Sequence, residues 1–120
     1  MKKILVADDE EVLRMLITDT LEDLDCEVLE ASDGQEAIDL IRKHHFDLLV
    51  LDYMMPEKTG LEVIEEVRAM EDKKDVLILM LTAKSQQADQ EEIIEKGANY
   101  FLAKPFSPLV LMERVEEILQ

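Results

Sequence analysis

The chain has 120 residues, with 29 Asp plus Glu against 13 Lys plus Arg and a formal net charge of -16. This length fits one domain of ordinary size, and 48% hydrophobic residues provide for a single core, which argues against wholesale disorder. A surface this acidic repels nucleic-acid phosphates and anionic lipid head groups, so we expect no nucleic acid and no membrane as a direct partner. It suits cations and proteins with basic patches.

The cysteine content and the N-terminus indicate the compartment. A single cysteine, Cys26, excludes a disulfide within the chain and fits a reducing environment. No apolar run reaches the length of a membrane span, and no cleavage-site pattern follows Met1. These features predict a cytoplasmic protein with one domain over residues 1–120.

Short apolar segments alternate along the chain with segments whose apolar residues recur at helical spacing. Strands are predicted at 4–7, 27–30, 46–51, 76–81 and 100–103. Helices are predicted to begin near Glu10, Ser32, Thr59, Ser85 and Ser107. Strict alternation of strands and helices indicates βαβ units with right-handed crossovers and a parallel sheet covered on both faces. The prediction is an α/β protein of the flavodoxin-like (βα)5 type, a doubly wound five-stranded sheet of order 2-1-3-4-5.

Capping residues and apolar stripes define the helices more closely. Ser32 with Gln35 and Thr59 with Glu62 have the spacing of a capping box, and Gly97 is predicted to end the fourth helix. In the first helix, the apolar residues that share one face are Leu13, Ile17, Leu21 and Leu24, with Val12 and Leu16 beside them.

Polar residues follow four of the five predicted strands, at the point where each strand ends. Asp8 and Asp9 follow the first strand, Asp52 the third, Thr82 the fourth and Lys104 the fifth. The carboxyl ends of parallel strands meet at one edge of a sheet, and strands 1 and 3 flank the reversal of strand order, where ligands usually bind. We therefore expect three carboxylates, a hydroxyl and an ammonium group to converge at this edge.

Three converging carboxylates need a neutralising partner. Two carboxylates about 5 Å apart repel each other by roughly 3 kcal/mol at an effective dielectric constant near 20, whereas a whole domain is stable by only about 5–15 kcal/mol. Lys104 supplies one positive charge, and a hard dication with oxygen ligands would supply the rest. Mg²⁺, or Mn²⁺ in its place, suits a site of few carboxylates plus water.

Each of these residues, taken alone, also has an ordinary structural explanation. Asp8 fits a solvated strand end, Asp9 and Thr82 fit helix caps, Asp52 fits a turn before Pro56, and Lys104 fits a surface charge. Only their joint occurrence at the ends of different strands predicts a site.

Four short motifs stand in order at these strand ends, namely Ala7-Asp8-Asp9-Glu10, Leu51-Asp52-Tyr53-Met54-Met55-Pro56 with Gly60, Leu81-Thr82-Ala83, and Ala103-Lys104-Pro105-Phe106. Together they resemble the receiver domain of bacterial two-component response regulators, the CheY-like family, over essentially the whole chain. The resemblance implies a stand-alone phosphorylation-controlled regulator rather than an enzyme. A sensor histidine kinase or phosphotransfer protein would pass a phosphoryl group from a phosphohistidine to Asp52, and an unknown downstream protein would receive the signal.

The resemblance also implies a magnesium site. Asp9, Asp52 and the backbone carbonyl of Met54 would hold Mg²⁺, and Asp8 would act largely through a metal-bound water. Gly60 would open the loop after the site, where the absence of a Cβ explains the choice of residue.

The same resemblance implies a phosphate-binding pair and a switch. Thr82 would hydrogen-bond one phosphoryl oxygen and Lys104 would pair with another, beside a Lys104–Pro105 bond that is typically cis in the family. An aromatic residue on the fifth strand turns inward in the family when the threonine moves. Phe101 holds that position, where many members carry Tyr, and a permanently buried core ring is the alternative for it.

Two variable positions in the family tune the lifetime of the phosphoryl group. Met54 and Lys84 occupy them here, and neither side chain is a natural base for an attacking water, so we expect slow self-dephosphorylation. The partner is expected to contact the fourth helix, fifth strand and fifth helix, of which the fourth helix is poorly anchored and suited to move.

Other functions are compatible with parts of this pattern. A magnesium-dependent phosphatase or mutase with an aspartyl phosphate usually has an Asp-x-Asp pair and a larger chain, whereas Asp52 is followed by Tyr53-Met54. A flavin-binding module of the same topology would need a phosphate loop after the first strand, where Asp8 and Asp9 would repel the phosphate. A receiver that binds partners without phosphorylation would not need the full acidic set.

Four residues outside the motifs have candidate roles of lower weight. His44 and His45 are expected to be solvated near the end of the second helix, where cations are favourable. Cys26 is expected to be a small buried apolar group. Met15 lies beside the core stripe of the first helix, which docks on the kinase in receiver domains, so it is either a kinase contact or a loosely packed core residue.

Overall fold

The computed structural model describes residues 1–83 and 87–120, without the side chains of 87–89. Its strands are β1 (Lys3–Ala7), β2 (Glu27–Ala31), β3 (Leu48–Asp52), β4 (Leu77–Thr82) and β5 (Tyr100–Ala103). Its helices are α1 (Glu11–Glu22), α2 (Gly34–Lys43), α3 (Gly60–Arg68), α4 (Gln87–Lys96) and α5 (Pro108–Leu119). The strands form one parallel sheet of order β2-β1-β3-β4-β5, which confirms the predicted fold class and topology.

Successive side chains of the central strands point into two separate cores, one on each face of the sheet. The core on the side of α2, α3 and α4 includes Leu5, Leu49, Ile78, Ile38 and Ile64. The core on the side of α1 and α5 includes Ile4, Val50, Leu79, Ile17 and Val115. Each fully buried Leu or Ile contributes about 1.5–3 kcal/mol to stability relative to an exposed one. The buried central strands therefore hold the residues at their carboxyl ends in fixed positions.

The first helix buries a narrower stripe than the apolar pattern predicts. Ile17 and Leu21 are fully buried, whereas Val12 is 83% exposed and Leu16 is 44% exposed, so these two apolar residues beside the stripe lie outside the core. The reason is tertiary: α1 contacts α5, β1 and β2, and no other described helix covers its outward face. The outer flank of α1 therefore stays open to solvent.

The N-terminus of α2 is capped one residue later than predicted. Asp33, not Ser32, accepts a hydrogen bond from the backbone N–H of Glu36, at 2.8 Å. The Glu36 carboxylate in turn accepts from the backbone N–H of Ser32 at 2.6 Å. A Cβ on Gly34, the first residue of α2, would collide with the backbone carbonyl of Lys58, so the helix begins where its backbone packs most closely on that loop.

Other boundaries agree with the sequence or differ by a few residues. Thr59 and Glu62 form the predicted capping box of α3, and Gly97, with a φ of 125°, follows the last residue of α4. Phe46 precedes β3 rather than opening it, because the Asp47 carboxylate accepts a hydrogen bond from the backbone N–H of Lys3 just before the strands pair. The predicted helix start at Ser85 lies outside the described residues.

Across residues 1–83 and 87–120, none of the helices has both the length and the apolar character that a bilayer crossing requires.

Candidate functional site

The register of the sheet brings the predicted site residues to one edge. Ala7 pairs with Leu51 across β1 and β3, so Asp8 and Asp52, each one residue further, lie side by side. Thr82 pairs with the last residue of β5, directly before Lys104. Asp52, Thr82 and Lys104 line an open cleft of about 370 Å³, together with Asp9 and four neighbouring residues.

Asp8 is a buried residue and not a solvated strand end. It is 0% exposed, and its Oδ1 accepts a hydrogen bond of 2.8 Å from the backbone N–H of Glu10. Its own backbone N–H donates to the carbonyl of Ala31 on β2 at 3.1 Å. The other carboxylate oxygen, Oδ2, lies 3.5 Å from Nζ of Lys104, which lines the cleft.

Asp9 is exposed and does not cap α1. The N-cap position belongs to Glu10, which makes no capping hydrogen bond with its side chain. One carboxylate oxygen each from Asp8, Asp9 and Asp52 lie within 4.8 Å of one another. Such a set of hard oxygen donors, spread over one buried, one exposed and one nearly buried carboxylate, fits a small dication that keeps part of its water shell.

Asp52 has an unusual protonation equilibrium because of where it lies. It is 5% exposed, and burial raises its pKa to about 6, while the hydrogen bond from Lys104 acts against this rise and the charges of Asp8 and Asp9 add to it. At pH 7 the Asp52 carboxyl group is then mostly ionised, and a modest fall in pH protonates it. A dication among the three carboxylates would favour the ionised form.

Lys104 offsets part of the charge of this group of acids. Its Nζ donates a hydrogen bond of 3.0 Å to Oδ1 of Asp52. Burial lowers the pKa of Lys104, but the hydrogen bond to Asp52 and the negative charges of Asp52, Asp8 and Glu10 outweigh that effect, so the pKa is raised overall. The side chain therefore stays cationic although it lies partly buried against the carboxylate.

Thr82 and the loop after β5 complete the cleft. Thr82 is 0% exposed at the end of β4, and α4 begins only at Gln87, so Thr82 is not its N-cap. The Thr82 carbonyl accepts a hydrogen bond of 2.7 Å from the backbone N–H of Lys104. The Lys104–Pro105 peptide bond is cis, as the family resemblance implied.

The loop after β3 is held by backbone contacts that require a glycine. The backbone N–H of Tyr53 donates to Leu81 and that of Gly60 donates to Tyr53, both at 2.9 Å. A Cβ on Gly60 would lie 2.5 Å from the backbone carbonyl oxygen of Asp52. The absence of a side chain at position 60 thus allows α3 to begin directly against the backbone of Asp52. Met54, 65% exposed, lies in this loop and lines the cleft.

Sequence reasoning missed Arg14, which lies just behind the cleft. Its Nη1 donates a hydrogen bond of 2.8 Å to the backbone carbonyl of Asp8, and its Nε donates one of 3.0 Å to the Glu30 carboxylate. The sequence contains a pattern that could have pointed to it. Arg14 precedes Ile17 by three residues and Leu21 by seven, so a charged residue occupies the core stripe of α1.

Phe101 is half-buried and lies beside α4. It lines an open groove with Gln90, Glu91, Ile94 and Glu95, and it packs partly against the core on the side of α2, α3 and α4. This position is compatible both with a ring that changes rotamer on phosphorylation and with a permanent core ring, so its role stays a prediction.

Lys84, the second residue expected to influence the phosphoryl lifetime, lies outside the described residues.

The remaining candidates lie away from the cleft. Met15 is 53% exposed, so it is not a core residue. His45 is exposed as expected, but His44 is half-buried, and its Nδ1 lies 2.9 Å from Nζ of Lys3. Cys26 is half-buried and precedes β2, and burial raises the pKa of its thiol.

Comparison with known proteins identifies the family. The model of the response regulator receiver domain matches residues 4–116. The chain is 40% identical over 119 residues to a chemotaxis protein CheY homologue of Campylobacter jejuni, covering 98% of this chain and 92% of that protein. It is 43% identical over 119 residues to the alkaline phosphatase synthesis transcriptional regulatory protein PhoP of Bacillus subtilis, covering 99% of this chain and 49% of PhoP. The chain thus spans about half the length of the transcriptional regulators that it matches.

Solved structures agree with this match. The chemotaxis response regulator CheY4 of Vibrio cholerae superimposes with a TM-score of 0.95 at 36% identity, over 99% of both chains. The receiver domain of the sensor histidine kinase PA1611 of Pseudomonas aeruginosa, solved with a magnesium ion coordinated in its active site cleft, gives a TM-score of 0.89 at 30% identity, over 98% of this chain and 97% of that one. The chain belongs to the response regulator receiver domain family, whose members are the signalling switches of two-component systems.

Proposed function

We propose that residues 1–120 act as one receiver domain whose phosphoacceptor is Asp52. A sensor histidine kinase or a phosphotransfer protein would donate the phosphoryl group from a phosphohistidine. The observation that carries this proposal is the position of the Asp52 carboxylate, which lies in the cleft with Nζ of Lys104 at 3.0 Å and with two further carboxylates close by.

The transfer itself needs an ionised carboxylate. One oxygen of Asp52 forms a bond to phosphorus while the P–N bond of the phosphohistidine breaks, and the electron pair of that bond stays on the imidazole nitrogen. The product is an acyl phosphate on Asp52. The pKa of Asp52 is raised to about 6, which is still below 7. The reactive carboxylate form is therefore the major one at neutral pH.

The acidic residues fit a magnesium site, and the PA1611 structure with its magnesium ion supports the assignment. Asp9, Asp52 and the Met54 carbonyl would hold Mg²⁺, with Asp8 acting through a water. When bound, Mg²⁺ supplies positive charge that offsets the repulsion between the carboxylates and an incoming phosphoryl group. Oδ1 of Asp8 accepts a hydrogen bond from the backbone N–H of Glu10, so Oδ2 is the oxygen that would bind the metal-bound water.

Lys104 and Thr82 would bind the transferred group. The Lys104 ammonium, now hydrogen-bonded to the acceptor carboxylate, is placed to pair with a phosphoryl oxygen instead, where negative charge develops. The Thr82 hydroxyl at the end of β4 would hydrogen-bond a second oxygen. Movement of Thr82 would then be coupled to Phe101 and α4, and that surface would present the signal to the downstream protein.

Met54 supports slow loss of the phosphoryl group. Its exposed thioether side chain lines the cleft and cannot act as a base toward water.

We propose that the kinase binds the face of α1 that carries the exposed Met15.

Phosphorylation by acetyl phosphate with and without Mg²⁺ tests the proposal. The wild-type chain and an Asp19→Asn variant, which alters an exposed carboxylate on α1, are expected to take up one phosphoryl group only when Mg²⁺ is present. An Asp52→Asn variant is expected to take up none. Equal labelling of the Asp52→Asn variant and the wild type would refute the assignment of the acceptor.

A further inference from the structure

Arg14 links the loop that carries Asp8 and Asp9 to two neighbouring elements. The side chain of Arg14 is 16% exposed, and it reaches back from α1 to the backbone carbonyl of Asp8 at 2.8 Å. Its Nε lies 3.0 Å from the Glu30 carboxylate on β2. The guanidinium group is therefore anchored on β2 and holds the loop at the end of β1.

The carbonyl that Arg14 binds belongs to the peptide between Asp8 and Asp9. The orientation of that peptide sets the backbone dihedral angles on both of its sides, and hence the direction in which the Asp9 side chain leaves the chain. Asp8 has other restraints, since its backbone N–H donates to Ala31 and its carboxylate accepts from Glu10. Within the described part of the chain no hydrogen bond holds the exposed Asp9 carboxylate, so its position depends on the backbone.

We propose that Arg14 is a positioning residue for the dication site: its hydrogen bond to Asp8 orients the Asp8–Asp9 peptide so that the Asp9 carboxylate stays close to those of Asp8 and Asp52. Glu30 fixes the guanidinium group in turn. This inference rests on the proposed function, because it assumes that the three carboxylates bind Mg²⁺. Groups that orient metal ligands typically change metal affinity by about 10–100-fold when they are removed.

The sign of the effect separates positioning from simple electrostatics. Arg14 is a cation beside a site for another cation, so a purely electrostatic neighbour would weaken Mg²⁺ binding, and its removal would tighten it. A positioning residue predicts the opposite, since the loss of the hydrogen bond lets the Asp8–Asp9 peptide rotate. Arg14→Ala removes both the charge and the hydrogen bonds. Arg14→Lys keeps the charge, but all its N–H donors are on one nitrogen, whereas Arg14 binds Asp8 and Glu30 through two different nitrogens.

The experiment is a titration of the full chain with MgCl₂ by isothermal calorimetry, without any phosphodonor. Arg14→Ala is expected to bind Mg²⁺ about tenfold more weakly than the wild type, and Arg14→Lys to fall between the two. Arg42→Ala is the matched control, because Arg42 is an exposed arginine on α2 that pairs with Glu66 at 3.8 Å. Its Mg²⁺ affinity is expected to be unchanged, which excludes an effect of net charge. Circular dichroism verifies that each variant is folded.

The outcomes distinguish this inference from the proposed function. If Arg14→Ala binds Mg²⁺ as tightly as the wild type or more tightly, the positioning role is refuted while the magnesium site stands. If Arg14→Ala does not fold, Arg14→Lys decides, and an affinity equal to that of the wild type refutes the role. If the wild-type chain binds no Mg²⁺, the magnesium part of the proposed function fails and the inference fails with it.

Discussion

Lys104 and Asp52 form an ion pair at the bottom of the cleft, with Nζ 3.0 Å from Oδ1 of the carboxylate. The same ammonium group lies 3.5 Å from Oδ2 of Asp8. One lysine therefore stabilises two of the three clustered carboxylates, and it touches the residue that we propose as the acceptor.

Replacing Lys104 by methionine is expected to slow the phosphorylation of Asp52 by acetyl phosphate about 10²–10³-fold, because a positive charge placed for the transition state is lost. The hydrogen bond from Lys104 also acts to lower the pKa of Asp52, so the variant should need a higher pH for half-maximal rate. Initial rates over a pH series measure both effects. Lys74→Met, at an exposed lysine paired with Glu71, serves as the control and should behave as the wild type. A Lys104→Met rate equal to that of the control would contradict the role of Lys104.

The raised pKa of Asp52 predicts a specific pH dependence of stability. Burial raises this pKa from 3.8 to about 6, so between these values the folded chain binds more protons at Asp52 than the unfolded chain does. Its contribution to the free energy of unfolding is therefore fully present below pH 4 and is lost as the pH rises through about 6. The loss is on the order of 2–3 kcal/mol in the absence of Mg²⁺.

Urea unfolding of the wild type and Asp52→Asn between pH 4 and pH 7.5 measures this contribution, since the other carboxylates titrate in both proteins. The stability of the wild type relative to Asp52→Asn should fall as the pH rises. A difference that stays constant over this range would show that Asp52 has an ordinary pKa.

Gly60→Ala is expected to disturb the site through the backbone. The added Cβ would lie 2.5 Å from the Asp52 carbonyl oxygen, so the start of α3 and the end of β3 must move apart. We expect a loss of about 1–3 kcal/mol in the free energy of unfolding and slower phosphorylation. Gly97→Ala is the control, because its φ of 125° also makes a side chain costly but at a distance from the cleft. It should lower stability without changing the phosphorylation rate, and equal rates for both variants would refute the link to Asp52.

Arg68 binds the segments that precede β4 and β5, at the end of the sheet opposite the cleft. Its guanidinium group donates to the carbonyls of Gly97, Lys74 and Val76 and to the side chain of Asn99, at distances of 2.6–3.0 Å. Arg68→Ala removes all of these hydrogen bonds and is expected to cost about 3 kcal/mol in the free energy of unfolding.

Urea denaturation measures the cost for Arg68. The exposed Arg42, which pairs with Glu66 at 3.8 Å, is the matched comparison, and its replacement by alanine should cost less than about 1 kcal/mol. Similar losses in the two variants would mean that the Arg68 hydrogen bonds contribute little.

The order of strands and the meeting of Asp8, Asp52, Thr82 and Lys104 could be predicted because topology alone determines them. Each follows a strand, and parallel strands end at one edge whatever the details of packing. The exposure of Val12 could not be predicted, since it depends on which helices lie beside α1.

Two local features depended on contacts between distant segments. Ser32 and Asp33 can both cap a helix, and the close approach of Gly34 to Lys58 favours the later start. Arg14, a charged residue on the apolar stripe of α1, was missed because its partner Glu30 is 16 residues away and belongs to another element. Only the folded arrangement shows what such residues bind.

The central claim is that Asp52 accepts a phosphoryl group, and its most direct test is the location of that group by mass spectrometry. The wild-type chain is incubated with acetyl phosphate and Mg²⁺, digested at low temperature, and its peptides are fragmented. The account predicts one phosphoryl group, on the peptide that contains Asp52 and assigned to that residue. A phosphoryl group on another residue, with Asp52 unmodified, would contradict it.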